Sequence, residues 1–178
     1  MKSLLVLVLL GGIAAARPPD GARAIVDHTV AVVGGTPIWM SEIDDMIRAA
    51  KAQPSPDVVQ KVLDELIEQH LMLQAADEQH LTATPQEVDE AIQQIQQQNH
   101  INDNQLDTAL ADAGLTRERY RLELARQIKL EKWMQLTLAP RIGVHASDNA
   151  EEFARELDAQ RRAWIENREK SVHIERRQ

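Results

Sequence analysis

The sequence predicts a mostly helical domain closed by a small antiparallel sheet, and three stretches carry that prediction. Residues 55–81, SPDVVQKVLDELIEQHLMLQAADEQHL, repeat apolar side chains at spacings of three and four over an unusually broad face. Residues 27–39 place two apolar, largely β-branched runs around Gly34-Gly35, the signal of a two-residue hairpin. Residues 172–176 alternate as a short strand whose only available partner is that hairpin, at the other end of the chain. The two ends are therefore expected to meet.

Each element has a local reason. Ser55 caps the central helix, with Pro56 at the first position and Asp57 at the positive end of the dipole. Val58/Val59, Val62/Leu63 and Leu66/Ile67 are apolar in adjacent pairs, so this helix must be covered from more than one side. Its end lacks glycine, and His80 is the candidate for a left-handed cap. Pro37 removes a ladder donor and makes the second strand an edge. Ser41-Glu42-Ile43-Asp44 has the spacing of a capping box with aspartate in the last place, opening a helix through Ile43, Met46, Ile47 and Ala50. Thr84-Pro85-Gln86-Glu87 is a full capping box. Leu106, Ala109 and Leu110 mark a short helix closed by Gly114, and Thr116 starts a long one ended by Pro140 and Gly143. Asp148 or Asn149 caps a last helix through Phe153, Leu157, Trp164 and Ile165.

The chain has 178 residues and no cysteine; 43% of its residues are hydrophobic and 3% aromatic. Its net charge of −8 argues against nucleic acid as a partner. Lys2, the apolar run from Ser3 to Ala16 and the small residues after it read as an export leader over residues 1–24. Two A-x-A sites compete, Ala14-Ala15-Ala16 and Ala22-Arg23-Ala24, and cleavage after Ala24 is favoured because a strand pattern follows at once. Losing three cations and one anion with the leader takes the charge to −10. The apolar run is shorter than the roughly 20 residues of a membrane span, so no span remains after cleavage. Residues 25–178 then read as one domain, 25–144 followed by a helix and strand over 145–178.

The residues also resemble a known family. Thr29-Val30-Ala31-Val32-Val33-Gly34-Gly35-Thr36-Pro37-Ile38, Leu66-Ile67-Glu68 with Leu71 and Gln74, and Glu87-Val88-Asp89-Glu90-Ala91-Ile92 with Ile95 and Asn99 are similar to the N-terminal domain of SurA-type periplasmic chaperones. Gly114-Leu115, Tyr120-Arg121 with Leu124 and Gln127-Ile128, and Arg141-Ile142-Gly143-Val144 extend the likeness to about Asp148. Trp164-Ile165 and the terminal strand look like that family's C-terminal helix and strand. His80 departs from it, standing where glycine is common. The family usually carries parvulin-type prolyl isomerase domains between these parts; only about twenty residues separate them here. The resemblance thus implies a mostly α, SurA-N-like chaperone core that lacks the isomerase and is not an enzyme. It implies a periplasmic location and unfolded outer-membrane proteins as clients.

Chemistry read from the residues agrees. His70 and His80 sit about 15 Å apart along one helix, too far to share an ion. No HExxH, P-loop, nucleophile elbow or dinucleotide fingerprint occurs, and no cofactor is expected. The carboxylate clusters are those of ordinary polar helix faces. Apolar residues off the main stripes are the informative ones: Met72, Leu122, Leu130, Trp133 and Leu136, with Met40 and Met46 nearby. A helix packed on two sides uses two stripes, so each of these serves as core on the plain reading. Together they exceed what single stripes require, and they are the candidate lining of an open client groove. Backbone pairing at the edge strand is a candidate supplement. The rival expectation is a structural or assembly module without client binding.

Overall fold

The computed structural model describes residues 27–177. The expected leader, 1–24, lies outside the described residues. Strand β1 (Thr29–Val33) turns through Gly34 and Gly35 into β2 (Thr36–Trp39), and β3 (Ile174–Arg176) pairs on the other side of β1, giving the antiparallel order β2-β1-β3. The turn needs positive φ at both centres, +55° and +88°, which glycine supplies without a Cβ clash. Ala31, Val32 and Val33 lie opposite Arg176, Glu175 and Ile174. The two ends do meet, and Pro37 sits on the edge strand as its missing N–H requires. Val30 is the extra residue of a bulge between Thr29 and Ala31.

Six α-helices follow among the described residues: α1 (Met40–Ala49), α2 (Pro56–Glu78), α3 (Pro85–Asn99), α4 (Asp103–Asp112), α5 (Arg117–Thr137) and α6 (Ala150–Glu169). Ser55, Thr84, Thr116 and Asn149 accept from the N–H three residues on, as their sequence positions predict. The start of α1 is different. The helix begins at Met40, so Ser41 is inside the first turn and Asp44 takes no part in a box. Glu42 reaches back to the Trp39 N–H at 3.0 Å, and Asp27, from before β1, accepts from both the N–H and the hydroxyl of Ser41. A cap that comes from fourteen residues away leaves no local signature.

Helix α2 ends as expected. His80 takes φ +55°, its N–H bonds to the Asp77 carbonyl, and the Leu81 N–H reaches the Ala76 carbonyl, each at 2.9 Å. That is a Schellman closure with histidine in the place glycine ordinarily fills. Lys51 and His100 close α1 and α3 in the same left-handed conformation.

Three buried clusters hold these elements. The first joins β1, β2 and α1 to Leu63, Leu66, Ile67 and Leu71 of α2, with Ile165 of α6. The second joins α3, α4 and Leu124 of α5. The third gathers Met72, Ala75 and Ala76 of α2 with Trp133 and Leu138, under Leu157 and Trp164 of α6. Helix α2 thus serves two clusters with its broad face, and α5 serves two along its length. At the joint between α3 and α5, Lys132 donates to Glu87 and to the Thr82 carbonyl, while Glu87 completes the α3 capping box with Thr84.

Lys132, with the Thr84 N–H and hydroxyl, holds the Glu87 carboxyl at about 2, against an ordinary value of 4.5. A carboxyl depressed in the folded state stabilises fully above its unfolded value and loses that contribution as pH falls. The window here runs from about 4.5 down to about 2. Glu87→Gln should flatten the acid limb of a plot of Tm against pH across that window. An acid limb equally steep in the variant rejects the assignment.

Candidate functional site

The seven residues expected to line a client groove do not come together. Trp133 is fully buried, edge-on to Trp164 with ring centroids 4.5 Å apart, and Met72 is buried in the same cluster. Both expectations are corrected: these two are core, because α6 covers the face of α2 and α5 that they occupy. Leu130 is half-buried against that cluster, and Met40 and Met46 are half-buried against the first one. Only Leu122 and Leu136 remain open, 63% and 61% exposed. Fourteen residues of α5 separate them, roughly 21 Å along one side of the helix. They are separate features.

Leu122 stands in a shallow depression of about 490 Å³ between the start of α3 and the first half of α5. Ala83, Pro85 and Val88 form one wall, Ala125 continues Leu122 on the other, and Arg117, Glu118 and Arg121 stand at the rim. The wall exists because Thr84 and Pro85 start α3 there and present small residues where a larger side chain would fill the gap. The arginines are already engaged: Arg121 bonds Asp89 on α3, and Arg117 bonds Asp103 and Asp107 on α4. Arg117 in turn holds the Asp103 carboxyl below the usual carboxylate range. With the rim cations paired, the depression offers mainly carbon to a visitor.

The sequence pointed to Leu122 and, as found, to Val88 in a core stripe, but not to Ala83, Pro85 and Ala125. The only available signal was the pair of alanines flanking an exposed leucine, and that signal is weak. The edge strand also differs from expectation. In a two-residue hairpin Val33 and Thr36 form the closing hydrogen-bonded pair, so Pro37 and Trp39 face outward. Pro37 has no N–H, and the Trp39 N–H is bound by Glu42. Strand β2 therefore presents no donor for a visiting backbone.

Among the described residues no three histidine, aspartate or glutamate side chains stand close enough to hold an ion, and no helix is long and apolar enough to cross a membrane.

Fold and depression together define a helical domain, closed by a sheet of both chain regions, that carries a shallow apolar recess. A family model, the SurA-like N-terminal domain, matches residues 1–134, and the chain belongs to this family. The chaperone SurA of Nitrosospira multiformis is 33% identical over 153 residues, covering 80% of this chain and 34% of that protein. The chaperone SurA of Cupriavidus metallidurans is 32% identical over 139 residues, 72% of this chain and 28% of that one. The chain thus spans about a third of the length of these curated relatives. A structure from work on PEB4 and Cj1289, two structurally related SurA-like chaperones of Campylobacter jejuni, superposes with a TM-score of 0.49 at 21% identity, over 74% of this chain and 50% of that one.

Proposed function

We propose that this domain is an ATP-independent holding chaperone that binds extended, apolar segments of unfolded outer-membrane proteins in the periplasm. It works without cofactor, metal or covalent chemistry. The observation that carries the reading is Leu122: a large aliphatic side chain, mid-helix, 63% exposed, in a carbon-lined recess that no element of the described chain covers. A client side chain laid there removes Leu122, Pro85 and the open faces of Ala83 and Ala125 from water. Affinity is modest, because ordering a disordered client offsets much of the contact energy. Relatives named chaperone SurA support the activity, and the leader pattern of residues 1–24 supports the location.

The test is suppression of aggregation of a urea-denatured β-barrel protein on dilution. Burying one leucine contributes about 1.5–3 kcal/mol, so Leu122→Asp should weaken apparent affinity roughly ten- to hundredfold. An exposed position should leave stability within ~0.5 kcal/mol. Leu136→Asp, equally exposed but outside the recess, should protect as the wild type does. Equal losses in both variants would remove the recess as the site. No protection by the wild type at stoichiometric excess would favour the other reading, an assembly module without client binding.

A further inference from the structure

The third core cluster sits under a cover whose own apolar side chains are, but for one, at most half-buried. Residues 150–177, α6 and β3, contribute one buried side chain, Ile165, to the described structure. Leu157 and Trp164 are half-buried where they rest on Met72, Ala75, Ala76 and Trp133. Val172 and Ile174 are half-buried against the first cluster, as Trp164 also is, and the rest of the attachment is ionic. Arg161 pairs with Glu68 at 2.6 Å, Arg168 with Glu78, and Arg176 with Asp64 at 2.6 Å, so three cations of this segment meet three anions along α2. Strand β3 adds three paired residues along β1, flanked by bonds from the Gly34 N–H to the His173 carbonyl and from the Arg177 N–H to the Val30 carbonyl. Beneath lie Met72, Ala75, Ala76 and Trp133, all buried, and the Trp133 indole N–H has no hydrogen-bond partner.

We propose that α6 and β3 form a releasable strap, and that lifting it uncovers a second apolar surface, Met72, Ala75, Leu130 and Trp133, for the polypeptides the domain holds. Trp164 is the internal occupant of the place that a client's large apolar side chain takes against Trp133. This rests on the holding function above and adds to it a second surface and a closure. Local opening of this kind draws on the least apolar attachments of a fold. Partly exposed ion pairs are screened by salt, whereas apolar docking is not weakened by it, so the strap loosens as sodium chloride rises.

Hydrogen exchange on the full chain tests the device without any client. Amides of 150–177 should exchange several-fold faster than those of 63–76 in α2, and faster again between 50 and 500 mM sodium chloride, as order-of-magnitude conditions for screening. Arg161→Gln with Arg168→Gln should raise opening roughly 2- to 30-fold while α2 and α5 stay protected. The same double variant should hold more of the denatured β-barrel protein than the wild type, and should keep that gain when Leu122→Asp is added. Exchange of 150–177 only together with α2, in wild type and variant alike, overturns the strap. Opening without added holding overturns the second surface and leaves the Leu122 recess standing. Failure of the wild type to hold the β-barrel protein at all shows in the aggregation assay alone, and it overturns the holding function while the exchange result still decides the strap.

Discussion

Trp133→Ala should cost about 3–5 kcal/mol of folding stability, the range for deleting a large aromatic from a packed core. Trp133 is fully buried, meets Trp164 edge-on at 4.5 Å, and touches the segment of α2 that carries Met72, Ala75 and Ala76. For a domain whose total stability is on the order of 5–15 kcal/mol, the variant sits near its unfolding limit. Urea denaturation should show the midpoint falling with an unchanged slope. A loss below about 1 kcal/mol would mean that the indole is not packed as described. Trp133→Phe should recover most of the stability, since the indole N–H makes no bond that phenylalanine forfeits. Loss of client holding in Trp133→Ala therefore mixes unfolding with lost contact, whereas the Leu122 variant reports contact at the recess alone.

How much was legible divides along the range of the forces. Ser55, Thr84, Thr116 and Asn149 act on amides three residues away, so their caps are written in adjacent letters. The hairpin at Gly34-Gly35 and the edge position of Pro37 are local in the same sense. The closing strand was legible by a different route: an orphan alternating run and an incomplete hairpin each lack a partner, and only one pairing satisfies both. Ser41 failed because its bonding partner, Asp27, arrives across a whole hairpin. Met72 and Trp133 failed for a related reason. Periodicity states which face of a helix is apolar, whereas the cover comes from α6, more than thirty residues further on for Trp133 and nearly a hundred for Met72. Along α5 the buried face also turns between Leu124 and Trp133, since the helix leaves one cluster for another, and a single stripe does not describe it. The recess beside Leu122 is a gap between Ala83 and Ala125, and a gap has no letter of its own.

The family resemblance singled out Gln74, and the structure gives it a role that can be measured as a coupling. Its side-chain amide donates to the Val33 carbonyl at 2.6 Å and to the Thr36 hydroxyl at 3.3 Å, so α2 grips the hairpin on both sides of its turn. Gly34 lies directly under that amide. A Cβ built there would stand 2.6 Å from the Gln74 Oε1, at φ +55°. Gly34→Ala consequently meets two separate costs. The left-handed backbone costs an alanine about 1–2 kcal/mol. Pushing Gln74 aside costs about 0.5–1.5 kcal/mol for each hydrogen bond it breaks. The single variant should lose roughly 2–5 kcal/mol in all if both bonds break. Gln74→Ala alone should lose about 1–3 kcal/mol from the two bonds. In the Gln74→Ala background the steric part is gone, so Gly34→Ala should cost only the backbone term, and the double-mutant cycle should show a coupling near 1 kcal/mol or more. Gly34→Asn gives an independent check: asparagine adopts the left-handed region more readily than alanine, but its Cβ meets the same amide, so it should recover part of the backbone cost and none of the clash. Strict additivity of Gly34→Ala and Gln74→Ala would mean that the helix does not grip the turn. It would also leave the sheet anchored to α2 through the buried contacts of Val33, Ile38 and Leu71 alone.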